Sequence, residues 1–370
     1  MNRKPIILIL TSRDEIGGAS KTIADGIKKI GSHNAVIVSD DKYGSVKRAS
    51  TLDRILDSGA EYKYAIEKKD RGVLIGKLKF KSFSKRVNRI NNLIKRYHPE
   101  YILCMTPYAH HCAVEAKRRA KFGTKIIYML TTFTLGKRVL DDETSVLIVE
   151  NADIKADLVR EGVRSKDIMT MGFPYEIEKK SPEEVASLKQ EFGLLKSKTV
   201  LLNMDGGLSS DKQNKNRLQE LFELMLDQGN IINLAVVCKD QKFRQMLSAL
   251  AVKVQNMKVV FVPSEDKIDE YISVCDIAIT RYDVSVLYKC FKLGIPSIVV
   301  ENGEREKGEV DYLVSRGLCL PAKENIEVVG QMYKLLQTDT ANAIVESGAK
   351  WVEMSSVENI CNFLVSYIGI

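Results

Sequence analysis

Residues Cys275–Val300 read CDIAITRYDVSVLYKCFKLGIPSIVV. An apolar run at Ile277–Thr280 passes through a short loop into a helix closed by Gly294. Pro296 then leads to a second apolar run, Ser297–Val300. This is the pattern of a strand, a crossover helix and a parallel strand. In such a unit the loop after the first strand lies at the carboxyl edge of the sheet and opens a helix. Unpaired N–H groups and the helix dipole favour an anion there. A second stretch of the same design, PIILILTSRDEIGGASKTIADGIKKIG, begins at Pro5. One unit in each half of the chain predicts two sheets facing a shared cleft.

Working outward, apolar runs recur with helical stretches between them. In the first half they fall at Ile6–Leu10, Ala35–Ser39, Tyr101–Met105, Lys125–Leu130, Ser145–Val149 and Ile168–Met171. In the second half they fall at Val200–Asn203, Asn233–Cys238, Lys258–Val262, Ile277–Thr280 and Ser297–Val300. Short, nearly continuous β-branched runs are those of strands buried on both faces, so the predicted sheets are parallel and covered by helices. The fold class read from this alternation is α/β, with two Rossmann-like, doubly wound parallel-sheet domains. The boundary falls in GFPYEIEKKSPEEV, where Ser181, Pro182 and Glu184 supply an N-cap, a first helical proline and the acid of a capping box. The domains are read as 1–175 and 181–350. A second box, Ser355 and Glu358, opens a last amphipathic helix, 355–370, which can pack back on the first domain.

The chain has 370 residues, 45% hydrophobic and 28% charged, which suits two globular domains. No run approaches the roughly 18–20 apolar residues that cross a bilayer. The apolar run from Pro5 to Leu10 is too short for a signal-peptide core and reads as the first strand, so an intracellular protein is expected. Seven cysteines, an odd count without framework spacing, read as reduced, packed thiols. The four histidines show no metal-ligand spacing.

The formal charge of +8 is unevenly spread. Lys77, Lys79, Lys81, Lys85, Arg86, Arg89, Lys95 and Arg96 fall in one stretch without an acid. Phe83, Val87, Ile90, Ile94 and Tyr97 share a helical stripe within it, which predicts a crossover helix with an apolar inner face and a cationic outer one. Such a face is either simply solvated or lies on a polyanion. Aromatic content of 7% and the absence of a nucleic-acid-binding motif argue against nucleic acid.

Six segments, in order, carry a family resemblance. They are Ile16-Gly17-Gly18-Ala19-Ser20-Lys21, HPEYILCMTPYAHH from His98, VENADIKADLVREGVRSKDIMTMGFPYE from Val149, VLLNMDGGLSS from Val200, VVFVPSEDKIDEYISVCDIAITR from Val259, and LGIPSIVVENGEREKGEVDYLVSRGL from Leu293. Together they resemble the GT-B glycosyltransferases. More narrowly, they are similar to the monogalactosyldiacylglycerol synthase and processive diacylglycerol glucosyltransferase family. The resemblance implies two facing domains, the N-terminal one on the acceptor side and the C-terminal one holding a UDP-sugar. It also implies sugar transfer to a membrane lipid without a metal or further cofactor, by a cytoplasmic protein peripheral to the inner face of the membrane.

The resemblance assigns residues as well. Asp205, Gly206 and Gly207, with Arg281, would meet the donor diphosphate; Phe261 and Val262 would face the base, and Asp283 and Ser285 are counted among the substrate-binding residues. Glu306 keeps the acid of an E-x-x-N motif whose asparagine is replaced by Glu309. Gly17, Gly18 and Ser20 form the N-terminal glycine loop, with Ala19 and Ser20 where the family carries a histidine. The family's two donor-loop glycines align with Asp283 and Val284, and its ribose-binding acid with about Lys289. Thr132 stands for an aspartate and about Gly136 for a histidine, so His110 or His111, after Thr106-Pro107, is the substitute base, and His110 is taken as the candidate. Each glycine loop also reads as an ordinary tight turn, and His110 as an ordinary loop or helix-start histidine. Two functions follow: a lipid hexosyltransferase, or a GT-B protein that kept the scaffold and serves as a binding or regulatory module. A sugar-nucleotide epimerase on the same architecture lacks its expected acid–histidine cluster.

Overall fold

The computed structural model describes residues 4–11, 18–39, 74–134, 143–204, 212–226, 232–238, 240–252, 257–301, 304–337, 339–352 and 357–367. It divides into two compact units, Met1–Tyr175 with Glu353–Ile370, and Glu176–Val352.

In the first unit the strands are β1 (Ile6–Thr11), β2 (Asn34–Ser39), β3 (Tyr101–Cys104), β4 (Lys125–Met129), β5 (Thr144–Val149) and β6 (Ile168–Thr170). They pair in parallel in the order β2-β1-β3-β4-β5-β6. Every residue of β1 is buried, while edge strand β2 buries only Val38, as a sheet covered on both faces requires. The crossovers are α1 (Ala19–Ile30), α2 (Leu74–Tyr97), α3 (Pro107–Ala120) and α4 (Ala152–Arg160). The stripe predicted for α2 is present, with Phe83, Val87, Ile90 and Ile94 buried.

The second unit opens with α5 (Pro182–Glu191). Its Ser181–Glu184 capping box is formed in both directions: the Glu184 N–H donates to Ser181 Oγ, and the Ser181 N–H to Glu184 Oε2. Its strands are β7 (Lys198–Asn203), β8 (Ile232–Val237), β9 (Met257–Phe261), β10 (Ile277–Arg281), β11 (Ser297–Val300) and β12 (Leu320–Ala322). They too are parallel, ordered β12-β11-β10-β7-β8-β9. The helices are α6 (Lys212–Leu226), α7 (Gln241–Ala251), α8 (Ile268–Ser273), α9 (Val284–Leu293), α10 (Glu304–Ser315), α11 (Asn325–Gln337) and α12 (Thr340–Trp351). Strand β12 escaped the sequence reading because it is three residues long and includes Pro321, which an edge strand tolerates.

Residues Val357–Ser366 form the last helix, α13, grouped with the first unit. Ser355, the cap expected for it, lies outside the described residues. All seven cysteines are buried free thiols. Burial pushes those of Cys112, Cys290 and Cys319 up to about 12.

Candidate functional site

In the second unit β7 and β10 are neighbours, yet the chain leaves them in opposite directions, to β8 on one side and β11 on the other. A crevice opens at the carboxyl ends of two such strands, and open α/β sheets bind ligands there. The crevice is bordered by a polar cluster. Asn203 ends β7, is 7% exposed, and donates from Nδ2 to Thr280 Oγ1 at 3.2 Å. It also hydrogen-bonds the carboxylate of Asp283.

Asp283 is the N-cap of α9. Its Oδ1 accepts from the Val286 N–H at 3.1 Å, and its carboxylate also accepts from the Ser285 N–H. Burial raises its pKa against these hydrogen bonds and the neighbouring Lys289, which act the other way. Arg281 ends β10, 5% exposed, beside this cluster in sequence. Next to it, Tyr282 donates its hydroxyl to Glu309 Oε2 at 2.8 Å, tying the end of β10 to α10.

Asn203 and Thr280 have no place in the motif reading. The one sequence signal for them is a polar residue closing an otherwise apolar strand, as in VLLN and IAIT. Lys289, at the position of the family's ribose-binding acid, is turned to structural use. Its Nζ donates to both carboxylate oxygens of Asp269 on α8, at 2.6 and 2.8 Å. Asp205, Gly206 and Gly207 lie outside the described residues. Glu306 lies in α10, and Ser285 in the first turn of α9.

At the end of β9, Val262 already has partners for both backbone groups. Its N–H donates to Val236 O at 2.9 Å. Its carbonyl accepts from Arg244 Nη2 at 2.6 Å, and the same nitrogen reaches Cys238 O at 3.0 Å. The Arg244 guanidinium sits 5.6 Å from the centre of the Phe261 ring. Arg244 thus closes the edge between β8 and β9, a role with no local sequence signal because α7, which carries it, is far from Val262 in sequence.

In the first unit Gly18 caps α1 at φ 90 and ψ −9, a left-handed conformation that favours glycine. A Cβ there would meet nothing within 4 Å, so the demand for glycine is conformational rather than one of space. Ser20 is partly buried in the first turn of α1. Gly17 and Gly136 lie outside the described residues. Thr132 donates its hydroxyl to Thr134 O at 2.7 Å.

His110 is enclosed. Its ring is 2% exposed, stacks on Tyr128 with centroids 4.6 Å apart, and has Nε2 2.6 Å from Thr144 Oγ1. Burial, then the neighbouring His111, lowers its pKa to about 3. A general base reaches substrate and titrates near the working pH, and the enclosed ring matches the ordinary packed histidine that the sequence also allows. The outer face of α2 is also less uniform than the sequence suggests. Arg86 is buried, donates to the Tyr108 hydroxyl and lies 4.7 Å over its ring. Lys85, Lys95 and Arg96 are exposed.

Among the described residues, no group of three or more His, Cys, Asp or Glu is arranged to hold a metal ion. No described helix is long and apolar enough to cross a membrane.

The comparisons agree with this architecture. Among solved structures, S. aureus MnaA with UDP superposes with a TM-score of 0.67 at 12% identity, over 99% of this chain and 97% of that one. MurG of Acinetobacter baumannii gives 0.62 at 12% identity over 99% of both chains. HepE of Anabaena with UDP-glucose gives 0.55 at 14% over 98% of both. At these identities they establish the fold: two six-stranded parallel sheets flanked by helices, the architecture of GT-B proteins. No family model matches the chain. In sequence it is 26% identical over 356 residues to a processive diacylglycerol beta-glucosyltransferase of Bacillus pumilus, covering 92% of this chain and 88% of that protein. The chain is thus a GT-B protein that resembles the processive diacylglycerol glucosyltransferases.

Proposed function

We propose that the protein is a glycosyltransferase that moves a hexose from a UDP-sugar to a lipid or lipid-linked hydroxyl, without a metal ion, as a peripheral protein on the cytoplasmic face of a membrane. The observation that carries this reading is the likeness, over 92% of the chain, to a protein named for transferring glucose to diacylglycerol. The MnaA and HepE structures, which hold UDP or UDP-glucose, support a nucleotide donor.

In this reading the diphosphate meets the crevice between β7 and β10. Arg281 and the Gly206-Gly207 loop offset the charge that grows on the departing UDP. The exposed cations of α2, Lys85, Lys95 and Arg96, favour an anionic lipid surface, each on the order of 1 kcal/mol.

The test is incubation of the purified protein with radiolabelled sugar nucleotides and lipid vesicles containing diacylglycerol. The expected result is label extracted with the lipid; no transfer and no nucleotide binding would remove the reading. A second reading, a GT-B protein without catalysis, is favoured by one observation. Asp283 and Lys289 stand where the family resemblance has glycine and an acid, and they are spent on a helix cap and an ion pair. Thermal unfolding with UDP separates the two. A ligand at a hundred times its Kd adds about 2.7 kcal/mol to stability, whereas an unchanged Tm favours the non-catalytic protein.

A further inference from the structure

Strand β1 lies between β2 and β3, and its amino end pins the loops that lead into both neighbours. The Asn34 N–H donates to Pro5 O, and the Glu100 N–H to Ile6 O, each at 2.8 Å. Gly31 closes α1 at φ 82, a left-handed turn that suits glycine, and turns the chain into Ser32 and His33. Three side chains thereby meet at the amino edge of the first sheet. Ser32 is exposed, and its Oγ lies 2.9 Å from His33 Nδ1. The other ring nitrogen, Nε2, lies 3.3 Å from Glu100 Oε2, and the His33 side chain is only 10% exposed. The Tyr101 hydroxyl donates to Glu100 Oε1 at 3.0 Å, which fixes the carboxylate. With its proton on Nε2, towards the acid, the imidazole presents the Nδ1 lone pair to the serine hydroxyl. The backbone N–H groups of Ser32 and His33 have no hydrogen-bond partner among the described residues.

We propose that this is a site of acyl transfer acting on small carboxylic esters, with Ser32 as nucleophile, His33 as general base and Glu100 as a positioning residue. An open hydroxyl, a base within hydrogen-bond reach and an acid orienting that base are the parts this chemistry needs. Ser32 Oγ bonds to the ester carbonyl carbon while its proton passes to His33 Nδ1. The oxyanion that forms is met by the Ser32 and His33 N–H groups. On collapse the C–O bond to the alcohol breaks, and His33 returns the proton to the departing oxygen. Water then attacks the acyl-serine by the same route, so that ester and water give acid and alcohol. Glu100 holds the ring in the required tautomer and offsets the imidazolium charge, to which the carboxyl end of α1 also contributes. The site shares no residue with the crevice of the second unit and does not depend on the nucleotide reading.

The test treats the full chain with a fluorophosphonate, whose phosphorus exchanges fluoride for a serine oxygen, and locates the labelled peptide by mass spectrometry. Ser315 and Ser366, exposed hydroxyls that donate to backbone carbonyls, serve as internal references. Ser32 is expected to be labelled about a hundredfold faster than either, with a loss of similar size in His33→Gln. Glu100→Ala should slow the labelling and Glu100→Asp restore much of the rate, which a loop held only by packing would not show. Ser32→Ala, a change at an exposed position, should remove most of the cleavage of p-nitrophenyl acetate. Labelling of Ser32 no faster than of the references overturns the proposal, and so does ester cleavage that is unchanged in Ser32→Ala.

Discussion

Lys289 illustrates how the fold absorbs a changed residue at a ligand position. Its side chain is 9% exposed and faces an Asp269 carboxylate that is 40% exposed. Removing the acid strands an enclosed cation, whereas removing the base leaves a carboxylate that water already reaches. Asp269→Ala is therefore expected to cost about 2 kcal/mol and Lys289→Met under about 1 kcal/mol. Urea denaturation of both variants checks the asymmetry, and equal losses would contradict it. His110 makes a second residue-scale case. Its folded pKa of about 3 lies below the ordinary 6.5 because burial favours the neutral ring. The unfolded chain therefore takes up the proton first. The contribution of His110 to stability is complete above pH 6.5 and is lost as pH falls from there towards 3, by up to about 1.4 kcal/mol per pH unit. Stability curves of the parent and His110→Gln between pH 7.5 and 5 should diverge by that slope on the acid side. Parallel curves would mean that the ring is not held neutral.

Among the elements, α1 and α13 make a close contact that a single atom can test. A Cβ added at Gly26 would lie 2.5 Å from Cys361 Sγ, closer than real contacts allow. That sulfur is anchored, donating to Ile23 O at 3.4 Å. Gly26→Ala is expected to destabilise the protein by about 1–3 kcal/mol through overpacking. Cys361→Ala, which removes the sulfur, should recover much of the loss in the double variant. A double-mutant cycle by thermal unfolding measures the coupling, and additive losses would show that the clash lies elsewhere. The same pair explains why a glycine is tolerated within a helix at this point: it allows the neighbouring helix to approach.

At the scale of the whole molecule, the chain crosses from the first unit to the second at Tyr175–Glu176 and returns at Val352–Glu353. The first unit is thus completed by residues that follow the second unit along the chain. In α13, Ile360 and Leu364 are fully enclosed, each contributing roughly 2 kcal/mol by burial. Ending the chain after Val352 should weaken the first unit and leave the second, Glu176–Val352, protected. Hydrogen exchange followed by mass spectrometry reads this directly: faster exchange in β1 and α1 with unchanged β7 and β10 is expected. Equal loss in both units would mean that they do not stand as separate cores.

By itself the sequence determined the two parallel sheets, because a strand buried on both faces must be apolar at nearly every position and its helix-forming connections must be amphipathic. Both demands are local and survive in VLLN, IAIT and SIVV. It also determined the Ser181 cap, whose partners lie within one helical turn. Only the tertiary structure decided what the polar residues do. Asn203 meets Thr280 and Asp283, Lys289 meets Asp269, Arg244 meets Val262, and His110 meets Thr144, each across 18 to 80 positions of chain. Hydrogen bonds and ion pairs depend on distances of about 3 Å, and those distances exist only once the strands have taken their order in the sheet.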